Sequence, residues 1–140
     1  MSRISWRDYF LDLAKCVAQR STCPRASVGV VIVRDNRVLT TGYNGSLPGQ
    51  KHCTDIGCDI RVINGVEHCN RAVHAEVNAV AQAAKFGVSI QGATMYVWDS
   101  LQRESNCDDC RKVCLSAGVL AMVFNMNPKE EYDLVLGSGT

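Results

Sequence analysis

The chain has 140 residues, enough for one hydrophobic core and too few for two, so a single domain over residues 1–140 is expected. Fifteen Lys and Arg against fourteen Asp and Glu leave a net charge near +1, which excludes a global field that would recruit nucleic acid or an acidic membrane; a charged ligand has to be held by a local site. MSRISWRDYF lacks the apolar core of a signal peptide and no run approaches the ~18 apolar residues of a membrane span, so the expectation is a cytoplasmic protein, where eight cysteines point to metal before disulfides.

Ser5 followed by Asp8 has the pattern of a helix cap, and Trp6, Phe10, Leu13, Ala14 and Val17 recur at helical spacing, predicting an amphipathic helix over residues 6–20. ASVGVVIVRD and RVLTTGYNG are β-branched runs on either side of a polar turn from Arg34 to Arg37, the pattern of an antiparallel hairpin. Residues 45–70 lack sustained periodicity and are expected to be a long loop, which needs a function or a metal clip to justify it. A helical stripe of Val73, Val77, Val80, Ala81 and Ala84 follows and stops at Gly87. ATMYVWD predicts a third strand, CRKVCLSAG a third helix and VLAMVFN a fourth strand, with a right-handed crossover that makes the last two strands parallel. In the tail, PKEEYDLVL predicts a short helix begun by Pro128.

His74-Ala75-Glu76 falls at the start of the second helix, and SNCDDCRKVC at the start of the third offers two cysteine pairs at ligand spacing, Cys107 with Cys110 or Cys110 with Cys114. Three protein ligands of the nitrogen and sulfur type leave a fourth zinc position open to water, the catalytic pattern. Glu76, two residues from His74, is placed to shuttle a proton without displacing a ligand. An H-x-E followed by a later C-x-x-C is the signature of zinc nucleobase deaminases.

The stretches CPRASVGVVIVRDNRVLTTGYNGSLPG, HCTDIGC, HCNRAVHAEVNAVAQAAKFGVSIQGATMYV and CDDCRKVCLSAGV resemble, in sequence and order, the deoxycytidylate (dCMP) deaminase family, including its bacterial and phage members, from about Cys23 to Phe124. The resemblance implies a three-layer α/β/α cytidine-deaminase-like fold with a mixed sheet, and hydrolysis of dCMP to dUMP and ammonia, which would supply dUMP for thymidylate synthesis. Counting back from Ala117-Gly118, Cys107 and Cys110 fall on the family's ligand positions with His74, while Cys114 falls on an apolar core position. Glu76 matches the family's proton shuttle and Asn44 the residue that bonds the sugar; Ala75 is expected beside the substrate, and Arg25 is expected to grip the phosphate. Counted forward from Thr94, Cys107 arrives five residues late, so an insertion within Asp99 to Asn106 is expected at the pocket rim, with Asn106 in place of the usual proline.

Several family members hold a second, structural zinc. Cys23 and Cys53 match two of its ligand positions here, His68 or Cys69 would complete the set, and Cys58 stands in reserve. The resemblance also implies a homo-oligomer, a hexamer or a dimer, and an effector site for dCTP as activator and dTTP as inhibitor, with Mg2+, lined by Gly42, Tyr43 and Gly45. Three other readings compete: a deaminase of dCTP or another cytosine nucleotide, an inactive nucleotide-binding relative, and a deaminase of single-stranded nucleic acid. The last is disfavoured by balanced charge and 6% aromatic content.

Overall fold

The computed structural model describes residues 2–69, 71–102, 108–125 and 132–133. Helix α1 (Trp6–Ala18) opens on the expected cap, with the Ser5 hydroxyl accepting from the Asp8 amide at 3.1 Å. Strands β1 (Val28–Arg34) and β2 (Arg37–Tyr43) pair antiparallel through a tight turn in which Asp35 and Asn36 both take positive φ, 54° and 58°. That is the left-handed backbone a two-residue hairpin turn requires. Helix α3 (Ala75–Lys85), strand β5 (Thr94–Asp99), helix α4 (Asp108–Ser116) and strand β6 (Ala121–Phe124) follow, and β5 and β6 are parallel as the crossover requires.

The sheet runs β2-β1-β5-β6 and then a short strand β7 (Tyr132–Asp133), and is mixed, with β1 antiparallel to both neighbours. Alternation along β1 splits the core in two. Val28, Val30 and Ile32 pack with Ala75, Ala79, Met95 and Met122 on the face covered by α3 and α4. Val31 and Val33 point the other way, to Phe10, Leu11, Ala14 and Tyr96 under α1. Burial on both faces is why β1 is an unbroken apolar run. The result is the expected three layers. No helix among the described residues is long and apolar enough to cross a membrane.

Two expectations need correction. Residues 45–70 are not a plain loop: they contain a four-residue helix α2 (Cys53–Ile56) and a small antiparallel hairpin, β3 (Ile60–Ile63) with β4 (Val66–Cys69). Asn64 and Gly65 turn this hairpin at φ 53° and 78°, an Asn-Gly signal between β-branched runs that the sequence carried in plain sight. The tail is also not helical where it is described. Tyr132–Asp133 form β7, antiparallel to β6, because pairing with an open sheet edge outweighs local helical preference. The remainder of the predicted tail helix lies outside the described residues.

Candidate active site

The start of α3 is fixed against the end of β2 before any functional side chain is considered. A Cβ on Gly42 would sit 2.5 Å from the Ala79 nitrogen and 2.6 Å from the Ala75 carbonyl oxygen, so glycine is what lets the strand touch the helix. Ala75, Ala79 and Ala83 present the matching small face. Asn78 on α3 donates to the Tyr43 carbonyl at 2.8 Å, and Gly45 and Val73 exchange backbone hydrogen bonds of 3.1 and 2.7 Å. These contacts deliver His74 to the N-cap position in extended backbone, with its imidazole making no capping bond.

His74 Nδ1 lies 3.1 Å from Sγ of Cys110, which is buried on α4. A tetrahedral zinc with ordinary Zn–N and Zn–S bonds has an N···S edge of about 3.5 Å, so small adjustments would let both atoms share one ion. The donor set therefore fits zinc. Cys107 lies outside the described residues, as does the expected cap Asn106. Cys114 is fully buried with Sγ 3.8 Å from the Met95 sulfur, a packing role as expected.

Glu76, only 6% exposed, opens with His74 and Ala75 onto a cleft of about 520 Å³, within the range of roughly 300–1,000 Å³ typical of small-ligand sites. Arg25 and Asn44 also line it. The Asn44 amide oxygen accepts from the Val28 amide and its nitrogen donates to the Ala26 carbonyl, both at 2.9 Å. An amide has two donors and two lone pairs, so Asn44 can clamp the backbone and still offer one of each to a ligand. Leu101, in the first part of the expected insertion, is exposed and lines the cleft; residues 103–106 lie outside the described residues. A second hollow, between the start of α1 and the β1–β2 turn, is lined by Trp6, Tyr9 and Arg37 among others but by no His, Cys, Asp or Glu, and so offers neither ligands nor carboxylates.

A second sulfur group stands beside the cleft. The sulfurs of Cys53, Cys58 and Cys69 all lie within 4.8 Å of one another, with Cys53 and Cys69 at 3.6 Å, close to the S···S edge of about 3.8 Å around tetrahedral zinc. Burial and the neighbouring Cys69 and Cys58 push the Cys53 thiol up to about 12. Burial also acts to raise Cys69, but the backbone amides of Ala72, Arg71 and Asp59, with Cys53, outweigh it and bring the thiol down to about 7. Burial raises Cys58, helped by the nearby Cys69 and Cys23. Cys58, the reserve candidate, thus stands in the group, with Cys23 near it. His68 lies on β4, and its side chain is outside the described part of the chain.

Of the residues expected to line an effector site, Gly42 is packed against α3, Gly45 has Thr22 Oγ1 only 2.5 Å from where its Cβ would be, and Tyr43 is exposed at the end of β2. Three residues were missed by sequence reasoning. Asp99 is buried at the cleft, with its carboxylate accepting from the Leu101 amide at 2.8 Å. Asn78 braces α3, and Glu67 faces the cleft from β4. Recognising the Asn64-Gly65 turn would have placed Glu67; Asn78, five residues after Val73 on a helix, carried no such signal.

The profile of the cytidine and deoxycytidylate deaminase zinc-binding region matches residues 4–126. The chain belongs to that deaminase family. It is 45% identical over 124 residues to ComE operon protein 2 of Bacillus subtilis, covering 89% of this chain but only 61% of that protein's length. It is 38% identical to the deoxycytidylate deaminase of Mycobacterium phage D29, covering 93% of this chain and 99% of the phage protein. Among solved structures, the dCMP deaminase of cyanophage S-TIM5 in complex with dCMP and dUMP superposes with a TM-score of 0.69 at 26% identity, over 89% of this chain and 83% of that one. The deaminase fold expected from the sequence is therefore the fold observed.

Proposed function

We propose that this chain hydrolyses dCMP to dUMP and ammonia, supplying dUMP for thymidylate synthesis. The observation that carries the proposal is the convergence of His74 Nδ1 and Cys110 Sγ at 3.1 Å, with His74 and the buried Glu76 lining a cleft of about 520 Å³. Similarity to phage proteins described as deoxycytidylate deaminases, one of them solved with dCMP and dUMP, supports the choice of substrate.

Zinc held by His74, Cys107 and Cys110 would supply the Lewis acidity that brings a water's pKa down to about 7. The rest is the work of the chain. Burial of Glu76 keeps its carboxylate away from competing solvent, so that it can take one proton from the attacking water and pass it to ring N3, then move that water's second proton to the departing 4-amino nitrogen, which leaves as ammonia. Asn44 would bond the sugar with its remaining amide hydrogen, the first-turn backbone of Ala75 would orient the base, and Arg25 at the mouth would grip the phosphate. One water and dCMP give dUMP and ammonia, with no other reactant.

The three-sulfur group would hold a second, structural zinc through Cys53, Cys58 and Cys69, with Cys23 the nearest candidate to close the set. Assembly into a homo-oligomer, and activation by dCTP with Mg2+ opposed by dTTP near Tyr43, belong to the same reading. Ammonia release measured across dCMP, dCTP, deoxycytidine and CMP, with zinc quantified in the same sample, tests the assignment. A preference for dCMP is expected; a chain that holds zinc and deaminates none of the four would be a binding protein.

A further inference from the structure

The cleft has an unusual charge pattern for a site that takes an anion. Among its described lining residues Arg25 is the one Lys or Arg, against three carboxylates, Glu67, Glu76 and Asp99. Glu76 and Asp99 are buried. Glu67 is different: it stands on β4 and reaches across the mouth to Arg25, Oε2 3.9 Å from Nη2. The two other ion pairs among the described residues, Arg7–Asp8 and Arg61–Asp59, join near neighbours in sequence, whereas this one links the segment before β1 to the β3–β4 hairpin. With side chains 44% and 66% exposed, the pair adds little to stability. Its consequence is a negative charge placed beside the guanidinium expected to meet the phosphate.

Resting on the reading of this cleft as the dCMP site, we propose that Glu67 is a specificity-determining residue that restricts the site to nucleotides bearing a single phosphate. One guanidinium presents one fork, which one phosphate group can fill with two bonds. A phosphate monoester carries about −1.5 to −2 at neutral pH, enough to draw Arg25 away from a single, solvated carboxylate. Each further phosphate brings more negative charge toward Glu67, and no second cation among the described lining residues offsets it. An uncharged nucleoside makes no claim on Arg25 at all. The same pair therefore favours one phosphate over none and over three.

The test is kcat/KM of the zinc-replete chain for deoxycytidine, dCMP, dCDP and dCTP, in wild type, Glu67→Gln, Glu67→Lys and Arg25→Gln, each checked for folding by circular dichroism. Removing the charge should lower the dCMP-to-dCTP preference by about tenfold, and reversing it should lower the preference further. Both shifts should shrink as salt is raised. Arg25→Gln should erase most of the advantage of dCMP over deoxycytidine. An unchanged dCMP-to-dCTP ratio across the Glu67 series, an undiminished advantage in Arg25→Gln, or a wild type that uses dCTP as well as dCMP would each overturn the proposal. A wild type inactive on all four compounds would overturn the dCMP reading itself, and this proposal with it.

Discussion

His74 and Cys110, 36 positions apart in sequence, hold Nδ1 and Sγ 3.1 Å apart across the junction of α3 and α4. Neither residue is special alone. Two helix starts brought side by side by a parallel β5–β6 crossover make them a pair. Replacing either by Ala should remove about one zinc per chain and abolish ammonia release from dCMP, while the three-sulfur group keeps its own metal. Elemental analysis of each variant checks this, and an unchanged zinc content in both would count against the assignment.

Glu76 should separate chemistry from metal binding. Glu76→Gln keeps the shape of the side chain but cannot carry the proton, so kcat should fall by about 100- to 10,000-fold while zinc content stays at the wild-type value. Loss of zinc in this variant would mean that Glu76 acts as a ligand or a structural prop instead.

Gly42 should control the site from outside it. A methyl group there would meet the backbone of Ala75 and Ala79, and overpacking of this kind costs about 1–3 kcal/mol. Gly42→Ala should therefore lower stability to chemical denaturation by that amount and loosen zinc at His74, whereas Tyr43→Phe, at an exposed position, should leave stability nearly unchanged. Equal stability of Gly42→Ala and wild type would show that β2 and α3 can move apart freely.

The metal-stripped chain should carry a pH signature from its thiols. Folding lowers Cys69 from 9.0 to about 7, so its contribution to stability is complete above pH 9 and fades as pH falls through about 7. Folding raises Cys53 from 9.0 to about 12, so its contribution is complete below pH 9 and is lost as pH climbs toward 12. Stability of the stripped wild type relative to stripped Cys69→Ser should thus rise between pH 7 and 9, as read from denaturation midpoints. A flat difference over that interval would contradict the thiolate assignment. With zinc present the dependence should weaken, since the metal displaces thiol protons on binding.

Much of this was legible in the sequence because local and tertiary demands agreed. The Ser5 cap, the Asp35-Asn36 turn and the doubly buried β1 each satisfy their own propensities in place, H-x-E falls at the start of α3, and Cys110 falls in the first turn of α4. The β3–β4 hairpin escaped because its strands have four residues each and every residue of β3 is exposed, so no buried face imposes a period on it. Tyr132–Asp133 escaped for the opposite reason, since only the edge of β6 makes them a strand. Asn78 became visible only once elements far apart in sequence were side by side, whereas Glu67 was hidden only by the missed Asn64-Gly65 turn.

The most direct test of the central claim is ammonia release from dCMP by the zinc-replete chain, measured beside Glu76→Gln with zinc quantified in both. Wild type should release ammonia, the variant should lose at least about 100-fold of that rate, and the two should hold equal zinc. Zinc-replete wild type that releases no ammonia from any cytosine nucleotide would contradict the claim.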